Sequence, residues 1–406
     1  MKMNSGLLFA VHKIRINSFI LLLFILTHVS MEKIHIGFDA KRAYFNRRGL
    51  GNYARNLLQG LFTHYPEAEY LLFSPPPKES LFEPEGNFLR ISPSGTWSRR
   101  FPSAWRSLWM GREIRKHPIR IFHGLSNELP LDIHHARTLT AVTLHDLIQC
   151  RYPKLYHWDE RILYNLKYKQ SARKADCVIA TSQQTREDLV QFWKIPAEKI
   201  RIVYQSCDPA FSQLPSPGRN QEVADQYGLP AQFLLSVGAI EERKNLLQVL
   251  QAMEFGKIDI PLVVCGAKTA YYQTLQQFLS RHPLQSRVIF LHSVSNQDLP
   301  VIYRMASGLV YPSRFEGFGI PVLEGMTSGI PVITSTRSCL PEIGGNACLY
   351  IDPDDIEAMI HAIRSILENE DLRKNMIRKG FLRAMDFSME STAGSLMNVY
   401  REMLRK

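Results

Sequence analysis

The sequence predicts an α/β protein built from two doubly wound domains that face each other across a central cleft. Short apolar runs alternate with helical patterns along the chain, which is typical of parallel sheets covered by helices. A segment dense in proline and glycine divides this series into two halves. The length of 406 residues suits about two domains, and 45% hydrophobic with 21% charged residues is an ordinary globular composition.

The N-terminal half is predicted to form one domain over residues 31–207. Its first strand is expected at Ile34–Phe38, and a loop that carries Gly49 and Gly51 then leads into a helix. Further apolar runs, bounded by turn residues, predict more strands in this half. These lie at Tyr70–Phe73, Ile119–Phe122, Thr138–Leu144, Cys177–Thr181 and Ile200–Tyr204.

The second domain is predicted over residues 208–387, after a linker whose prolines and glycines are concentrated between Gln205 and Pro230. A last helical stretch, within residues 388–406, is expected to pack back on the first domain. Ligands bind at the carboxyl ends of strands in such sheets, so functional residues are sought there. The strands of this domain are predicted at Phe233–Val237, Pro261–Cys265, Val288–Leu291, Gly308–Tyr311, Pro331–Thr334 and Leu349–Ile351.

Residues 1–30 have three interpretations. Basic residues precede an apolar run at Phe19–Leu26, which is shorter than the roughly 20 residues of a membrane-spanning helix. The run resembles the core of a signal peptide, but no small-x-small cleavage site follows it. Met31 stands directly before the first strand. An over-long start with the true beginning at Met31, a membrane anchor and a secreted form are therefore all kept open.

Cysteine usage and charge narrow the compartment and the partners. The six cysteines form no C-x-x-C pair, and their spacing suits neither zinc nor a disulfide framework, which indicates buried thiols in the reducing cytoplasm. The net charge of +11 is local: between Arg90 and Arg120, eight basic residues against the single acid Glu113 give +7. Such a surface suits an anionic partner. No recognisable nucleic-acid module is present, so no nucleic acid is expected.

The basic segment is predicted to contain an amphipathic helix. Packing of its apolar face on the sheet, with Arg106, Arg112 and Lys116 solvated outside, is the preferred interpretation. The alternative is a peripheral contact of Arg99–Lys116 with the inner face of the membrane. Its apolar residues recur with helical spacing: Phe101, Ala104, Trp105, Leu108 and Trp109.

The stretch from Glu316 to Glu324 is the most informative in the chain. Gly317 and Gly319 let the backbone approach a ligand closely, and Pro321 suits the first turn of a helix. The free N–H groups of that turn form a site for a phosphate or carboxylate. Two glutamates at this spacing can accept hydroxyls at both ends of a sugar nucleotide. A surface loop followed by an ordinary amphipathic helix is the plain alternative.

Two other strand ends carry candidate residues. Arg243 and Lys244 follow one strand and precede a helix, where the pair can stabilise a diphosphate leaving group. His145 follows another strand and can hydrogen-bond a sugar hydroxyl, whereas Asp146 is suited to cap the following turn. Alone, such a charge pair or histidine is more often structural, and the strand-end positions favour the cleft.

Taken together, these motifs resemble those of retaining glycosyltransferases of the family 4 type, which have the GT-B fold. The resemblance runs from about Lys33 to the C-terminus and is nearest to the mannosyltransferase-like branch of polysaccharide assembly. The stretches that carry it are FEGFGIPVLE (Phe315–Glu324), SVGAIEERKNL (Ser236–Leu246), VTLHDLI (Val142–Ile148), RGLGNY (Arg48–Tyr53), TSQQTR (Thr181–Arg186) and LPE (Leu340–Glu342).

The resemblance implies transfer of a hexosyl unit, with mannosyl expected first, from a nucleoside diphosphate sugar to a glycan or lipid-linked oligosaccharide. It implies retention of the anomeric configuration, a GDP- or UDP-linked donor as co-substrate, and no other cofactor. It also implies catalytic roles for His145, Arg243, Lys244 and Glu316, donor contacts from Gly51, Gly317, Phe318, Gly319, Ile320 and Glu324, and an acceptor side at Gly49 and Asp146.

Other functional classes are weighed against this one. A sugar-nucleotide epimerase or hydrolase of the same fold and a non-catalytic glycan-binding subunit stay as alternatives. A dehydrogenase is discounted, because the loop at Gly49 and Gly51 lacks the third glycine of the dinucleotide fingerprint. Asp352-Pro353-Asp354 has the D-x-D pattern of metal-dependent transferases of another fold, but it stands at a helix start. No catalytic metal is therefore predicted.

Overall fold

A computed structural model describes residues 33–77 and 80–405, which form two parallel sheets. The hypotheses on residues 1–30 lie outside the described residues. The first sheet has seven strands in the order β3-β2-β1-β4-β5-β6-β7. Their bounds are β1 His35–Asp39, β2 Glu69–Phe73, β3 Phe88–Ile91, β4 Ile121–Gly124, β5 Leu139–Leu144, β6 Cys177–Ala180 and β7 Ile200–Ile202.

The second sheet has six strands in the order β10-β9-β8-β11-β12-β13. Every described pairing in both sheets is parallel. The strand bounds are β8 Leu234–Val237, β9 Leu262–Cys265, β10 Val288–Leu291, β11 Gly308–Tyr311, β12 Val332–Ser335 and β13 Leu349–Ile351. The predicted fold class is confirmed, with two doubly wound halves.

The helices of the first half connect the parallel strands of its sheet. They are α1 Lys41–Phe45, α2 Gly49–His64, α3 Thr96–Arg100, α4 Pro102–Ala104, α5 Met110–Ile114, α6 Ile148–Arg151, α7 Trp158–Lys174 and α8 Gln183–Trp193. Both faces of the sheet are buried, since side chains alternate along each strand. In β6, Cys177 and Ile179 join one core while Val178 and Ala180 join the other.

The helices of the second half repeat this arrangement. They are α9 Arg219–Tyr227, α10 Leu246–Phe255, α11 Tyr272–Leu279, α12 Leu299–Met305, α13 Ile320–Thr327, α14 Leu340–Gly344, α15 Ile356–Glu368, α16 Glu370–Met385 and α17 Met389–Leu404. The last helix returns to the first half, where Leu396, Met397 and Tyr400 share a core with Leu57 and Leu61 of α2. In the described ranges, no helix combines the length and the apolar character needed to cross a bilayer.

The chain passes between the halves twice, and the two crossings meet in an aromatic cluster. Tyr204 belongs to the first crossing and Phe387 to the second, with ring centroids 5.4 Å apart. Phe318, from the loop between β11 and α13, completes the cluster at 6.3 Å and 5.9 Å from these rings. The cluster therefore packs that loop against both crossings between the halves.

Two predictions about elements are wrong. Strand β3 was not expected, because Leu89 and Arg90 are exposed on this edge strand and leave only a weak apolar signal. The segment predicted as a linker contains helix α9, whose Val223 is buried in the second half together with Phe211. Proline and glycine density marked the ends of this helix, where Gly218 and Gly228 both have left-handed backbone.

The basic segment is not one regular helix. Residues Trp105–Trp109 between α4 and α5 form a π-helical turn, which breaks the 3.6-residue period assumed in the prediction. Trp105 is buried, but Leu108 is 47% exposed although both were expected on one packed face. Arg106, which was expected outside in solvent, is buried. That interpretation of Arg106 is wrong because two carboxylates inside the domain bind its guanidinium.

Candidate active site

The loop between β11 and α13 ends in a helix start suited to an anion. Gly319 precedes the first turn of α13 with a φ of +88°, in the left-handed region that favours glycine. Pro321 lies in the first turn, where its missing N–H costs no hydrogen bond. Among the described residues, no side chain caps this helix start. Pro321 has no N–H, and the N–H of Val322 donates to the carbonyl of Gly319 at 3.0 Å, so among these described residues the N–H of Ile320 is left for a ligand.

Gly317 lies where the two halves touch. A Cβ atom on Gly317 would stand 2.1 Å from the carbonyl oxygen of His145, so no other residue fits without moving backbone. Ser182 Oγ donates a hydrogen bond of 2.7 Å to the carbonyl of Gly317. Thr181 and Thr185 each donate to the His145 carbonyl at 3.0 Å. These hydroxyls hold the loop between β11 and α13 against the loop after β5.

A second contact between the halves involves the Leu-Pro-Glu stretch. The carboxylate of Glu342 accepts the backbone N–H of Gln183 at 2.8 Å and 3.0 Å. Gln183 begins α8, so the carboxylate also meets the positive end of that helix. The resemblance marked both stretches, but their part in holding the halves together follows from the structure.

Glu316 is the centre of a buried charge cluster. Its Oε1 accepts hydrogen bonds from Lys244 Nζ at 2.7 Å, Tyr311 OH at 2.7 Å and Ser313 Oγ at 2.6 Å. Arg243 Nη1 lies 2.8 Å from the same oxygen. Burial alone would raise the pKa of Glu316, but the charges of Arg243 and Lys244 outweigh it and hold the pKa at about 2.

The two cations of this cluster depend on Glu316 in turn. Burial would lower the pKa of the Arg243 guanidinium, yet the charge of Glu316 raises it. Burial lowers the pKa of Lys244 in spite of Glu316. Lys244 also contacts the hydroxyl of Tyr311, at the end of β11. The structure thus brings Arg243, Lys244 and Glu316 together, while Tyr311 and Ser313 are partners that sequence patterns alone did not single out.

Glu324 lies apart from that cluster. Its Oε2 accepts a hydrogen bond of 2.7 Å from Tyr303 OH, and the residue as a whole is 8% exposed. Burial raises the pKa of Glu324 to about 7. Glu324 and Ile320 line a cavity of about 60 Å³ together with Gly49 and other residues of the first half. The cavity places Gly49 opposite Glu324 and Ile320.

His145 is a neutral, oriented imidazole. Its Nε2 donates to the carbonyl of Leu125 at 3.0 Å, which leaves Nδ1 as the acceptor nitrogen. Burial lowers the pKa of His145 to about 4. The ring of Tyr53 packs edge-on at 4.6 Å. Tyr53 OH also lies 3.0 Å from Thr143 Oγ1. This contact between α2 and β5 holds the Tyr53 ring in place against the imidazole.

The remaining predicted site residues have mainly structural contacts in the described chain. Asp146 is half-buried, and its Oδ1 accepts the N–H of Ile148 at 3.2 Å, as a cap of the following turn would. A Cβ on Gly51 would lie 1.7 Å from the carbonyl oxygen of Asn46, so the tight turn before α2 excludes other side chains. The ring of Phe318 is committed to the aromatic cluster, which leaves its backbone for a ligand.

A charge cluster that the sequence did not reveal lies at the end of β1. Arg106 Nε donates to Asp39 Oδ2 at 2.6 Å, and Arg106 Nη1 donates to Glu128 Oε2 at 2.9 Å. Lys167 of α7 lies 2.5 Å from the same oxygen of Glu128. Asp39 and Glu128 are both buried. Asp39 is the last residue of β1, and this strand-end position is a sequence signal that could have pointed to the cluster.

The D-x-D stretch is engaged by arginines. Asp352 accepts a hydrogen bond of 2.9 Å from Arg337, and Asp354 pairs with both Arg337 and Arg314. Asp355 caps α15 through the N–H of Ala358 at 2.9 Å. In the part of the chain that the structure describes, no group of three or more metal-ligating side chains comes together.

Two facing doubly wound halves with a buried cationic pair at the cleft define the class of GT-B glycosyltransferases. The Glycosyltransferase Family 4 profile matches residues 47–211, and the Glycosyl transferases group 1 profile matches residues 222–383. The chain is 30% identical over 320 residues to O-antigen chain mannosyltransferase B of Escherichia coli, covering 77% of this chain and 82% of the relative. The chain therefore belongs to the glycosyltransferase family that these two profiles and this relative represent, and it is a glycosyltransferase.

Another relative and two solved structures are also similar to this chain. O-antigen chain mannosyltransferase RfbU of Salmonella typhimurium is 28% identical, with 69% of this chain and 75% of the relative covered. The crystal structure of Anabaena Alr3699/HepE in complex with UDP and glucose has a TM-score of 0.70 at 16% identity, covering 91% of this chain and all of that one. A structure of WaaG, a glycosyltransferase involved in lipopolysaccharide biosynthesis, has a TM-score of 0.63 at 18% identity, covering 90% of this chain and 99% of that one.

Proposed function

We propose that the protein transfers a mannosyl unit from GDP-mannose to a hydroxyl of a glycan or lipid-linked oligosaccharide, with retention of the anomeric configuration. The observation that carries the proposal is the convergence of Arg243 and Lys244 on one buried carboxylate, Glu316. The choice of sugar rests on the resemblance and on the two mannosyltransferases to which the chain is similar.

The diphosphate of the donor would take the place of Glu316 as partner of Arg243 and Lys244. Negative charge grows on the leaving diphosphate, and cations held ready in a buried site stabilise that charge without reorganising. The N–H of Ile320, in the first turn of α13, would bind the same anion. Glu316, released from its cations, would then accept hydroxyls of the sugar, while Glu324 accepts those of the ribose.

The first half would complete the reacting site. His145 Nδ1 is an acceptor nitrogen on a neutral ring, suited to a hydroxyl of the transferred sugar. Gly49, Gly51 and Asp146 would lie on the acceptor side. The cavity of about 60 Å³ beside Glu324 is much smaller than the roughly 300–1,000 Å³ of ligand pockets. The nucleotide end of the donor would therefore enter beside Glu324 only once the halves separate about their two crossings, and reclosure would exclude water.

We also propose that the reaction needs no metal ion and no cofactor, and that it takes place at the cytoplasmic face of the membrane. Support for the first point is the engagement of Asp352 and Asp354 by Arg337 and Arg314. Support for the second is that the described cysteines are all free thiols, as in a reducing compartment.

The test is a thermal-shift screen followed by product analysis. A ligand at 100 times its Kd stabilises the folded protein by about 2.7 kcal/mol, so GDP-mannose should raise the melting temperature more than GDP-glucose or UDP-glucose. Proton NMR of the product formed with a mannose-ended acceptor should show the α-anomer from the α-linked donor. A β-linked product would contradict retention. Turnover of donor without an acceptor would favour a hydrolase or an epimerase instead.

A further inference from the structure

Helix α7 is only weakly attached to the rest of the protein. Of its 17 residues, only Ser171 and Ala172, near its end, are buried. Its large apolar side chains face solvent instead. The exposed fractions are 73% for Trp158, 51% for Ile162, 59% for Leu163 and 68% for Leu166. A soluble surface helix normally turns such residues towards the core, so this apolar surface has a partner elsewhere.

These residues form one face, here called the α7 face: Leu155, Trp158, Ile162, Leu163 and Leu166. At 100° per residue, Trp158, Ile162 and Leu166 lie within an arc of about 80°. The same arc continues into Lys169 and Arg173 in the last turns of the helix. The face is thus apolar at the start of the helix and basic at its end.

The charge of the helix selects an anionic partner. Arg161, Lys167, Lys169, Arg173 and Lys174 stand against Asp159 and Glu160, which gives α7 a net +3. In the described ranges, no carboxylate pairs with Lys154, Lys169 or Arg173, since none of the ion pairs includes them. Two copies of this face would repel each other, whereas an anionic bilayer would attract it.

The α7 face is continuous with the candidate active site. Lys154, Leu155 and Tyr156, just before the helix, line a cavity of about 580 Å³ between the halves. Arg243 lines the opposite wall of that cavity. An occupant of the α7 face would therefore stand at an entrance to the cation that we assign to the donor diphosphate.

We propose that the α7 face docks on the surface of an anionic lipid bilayer and that the enzyme receives its acceptor there in lipid-linked form. Trp158 and the leucines enter the interfacial layer, where tryptophan is favoured, while Lys169 and Arg173 contact lipid headgroups. This surface is separate from Arg99–Lys116. The naming of the acceptor rests on the proposed function, whereas the docking does not.

Vesicle binding of the full-length chain tests the docking. Phosphatidylcholine vesicles with about one third phosphatidylglycerol should bind the protein, and pure phosphatidylcholine should bind it less. Trp158→Ser with Leu166→Ser should lower the partition coefficient by about tenfold or more. The matched control, Leu214→Ser with Phe255→Ser, changes residues that are 81% and 57% exposed. It should bind like the wild type.

The basic end has a matched pair of its own. Lys169→Glu with Arg173→Glu should weaken binding to the anionic vesicles alone, whereas Arg281→Glu with Arg378→Glu, with the same change of charge, should not. Emission from Trp158 should shift to shorter wavelength on vesicle binding, and this shift should be absent from Trp158→Phe. Equal binding by the Trp158 and Leu166 double variant and the wild type would overturn the proposal. The proposal would also be overturned if that variant lost self-association of the protein and kept its vesicle binding.

A transfer assay separates this inference from the proposed function. The Trp158 and Leu166 double variant should lose turnover of a lipid-linked acceptor in vesicles but keep wild-type turnover of a water-soluble acceptor sugar. Equal loss with both acceptors would overturn the lipid-linked acceptor and assign the face to the fold or the chemistry. Failure of the wild type with both acceptors would contradict the proposed function, while the vesicle measurement would still decide the docking.

Discussion

The two sheets end at the same cleft, but they manage charge differently. At the end of β11, Arg243 and Lys244 neutralise Glu316 in a cluster that borders the cleft. At the end of β1, Arg106 is held between Asp39 and Glu128, both buried within the first half. In the proposed mechanism, the first cluster exchanges its carboxylate for the diphosphate of the donor. The second lies within the first half, where Asp39 and Glu128 are both buried partners of Arg106.

The comparison teaches that similar buried ion pairs can serve different ends. Arg106 is expected to support the fold, because removing it takes the ion pair from buried Asp39 and leaves buried Glu128 with Lys167 alone. Arg243 and Lys244 are expected to support catalysis, because a ligand can replace Glu316. Variants of each cluster, a pH series and chelation test this difference.

Replacing Arg106 by Met should lower the free energy of unfolding by about 3–5 kcal/mol, the usual cost of breaking a buried ion pair. Urea denaturation measures it. Arg112→Met, at an exposed arginine of the same segment, is the control and should change stability by less than about 0.5 kcal/mol. A loss of similar size in both variants would contradict a special role for the buried pair.

Replacing Arg243 or Lys244 by Ala should lower the turnover rate by about 10²-fold or more, because charge stabilisation on the leaving diphosphate is lost. Steady-state kinetics with saturating GDP-mannose measures this. Arg337→Ala removes a partly exposed arginine that pairs with Asp352 and Asp354, and it should leave turnover near that of the wild type. Near-wild-type rates in the Arg243 and Lys244 variants would remove them from the catalytic set.

Donor affinity should rise with pH through the neutral range. The pKa of Glu324 is raised to about 7 by burial, and the ribose hydroxyls need its ionised form as acceptor. Below pH 7 the carboxyl is largely protonated, so affinity for GDP-mannose should fall by up to about tenfold per pH unit. Calorimetry at several pH values from about 5.5 to about 8.5, a range that spans that pKa, measures the affinity for GDP-mannose. Glu324→Gln should bind weakly and without this pH dependence; an unchanged slope would contradict the assignment.

Chelation should have the smallest effect. EDTA should leave turnover within about twofold of the untreated enzyme, because we assign stabilisation of the diphosphate to Arg243 and Lys244 instead of a metal. The control is the same treatment followed by added manganese. Activity that EDTA abolishes and manganese restores would contradict metal independence and return attention to the Asp352–Asp354 stretch.

Much of the fold followed from local pattern. Short apolar runs predicted the strands because both faces of a parallel sheet are buried, so their residues are apolar without alternation. The edge strand β3 was not predicted, since Leu89 and Arg90 are exposed there. Helix α9 was not predicted, because its flanking glycines and prolines resemble those of a linker. Cores and helix ends that leave such local signals can be predicted; elements whose stability comes from distant contacts cannot.

The candidate site divides in the same way. The sequence determined the family, the strand-end positions of Arg243, Lys244 and His145, and the helix start at Gly319 and Pro321, because these features depend on neighbours in the chain. Only the tertiary structure decided that Glu316 neutralises both cations, that Arg106 is buried through a π-helical turn, and that the α7 face is left in solvent. Each of these depends on groups far apart in sequence, and their burial and charge partners exist only once the halves have packed.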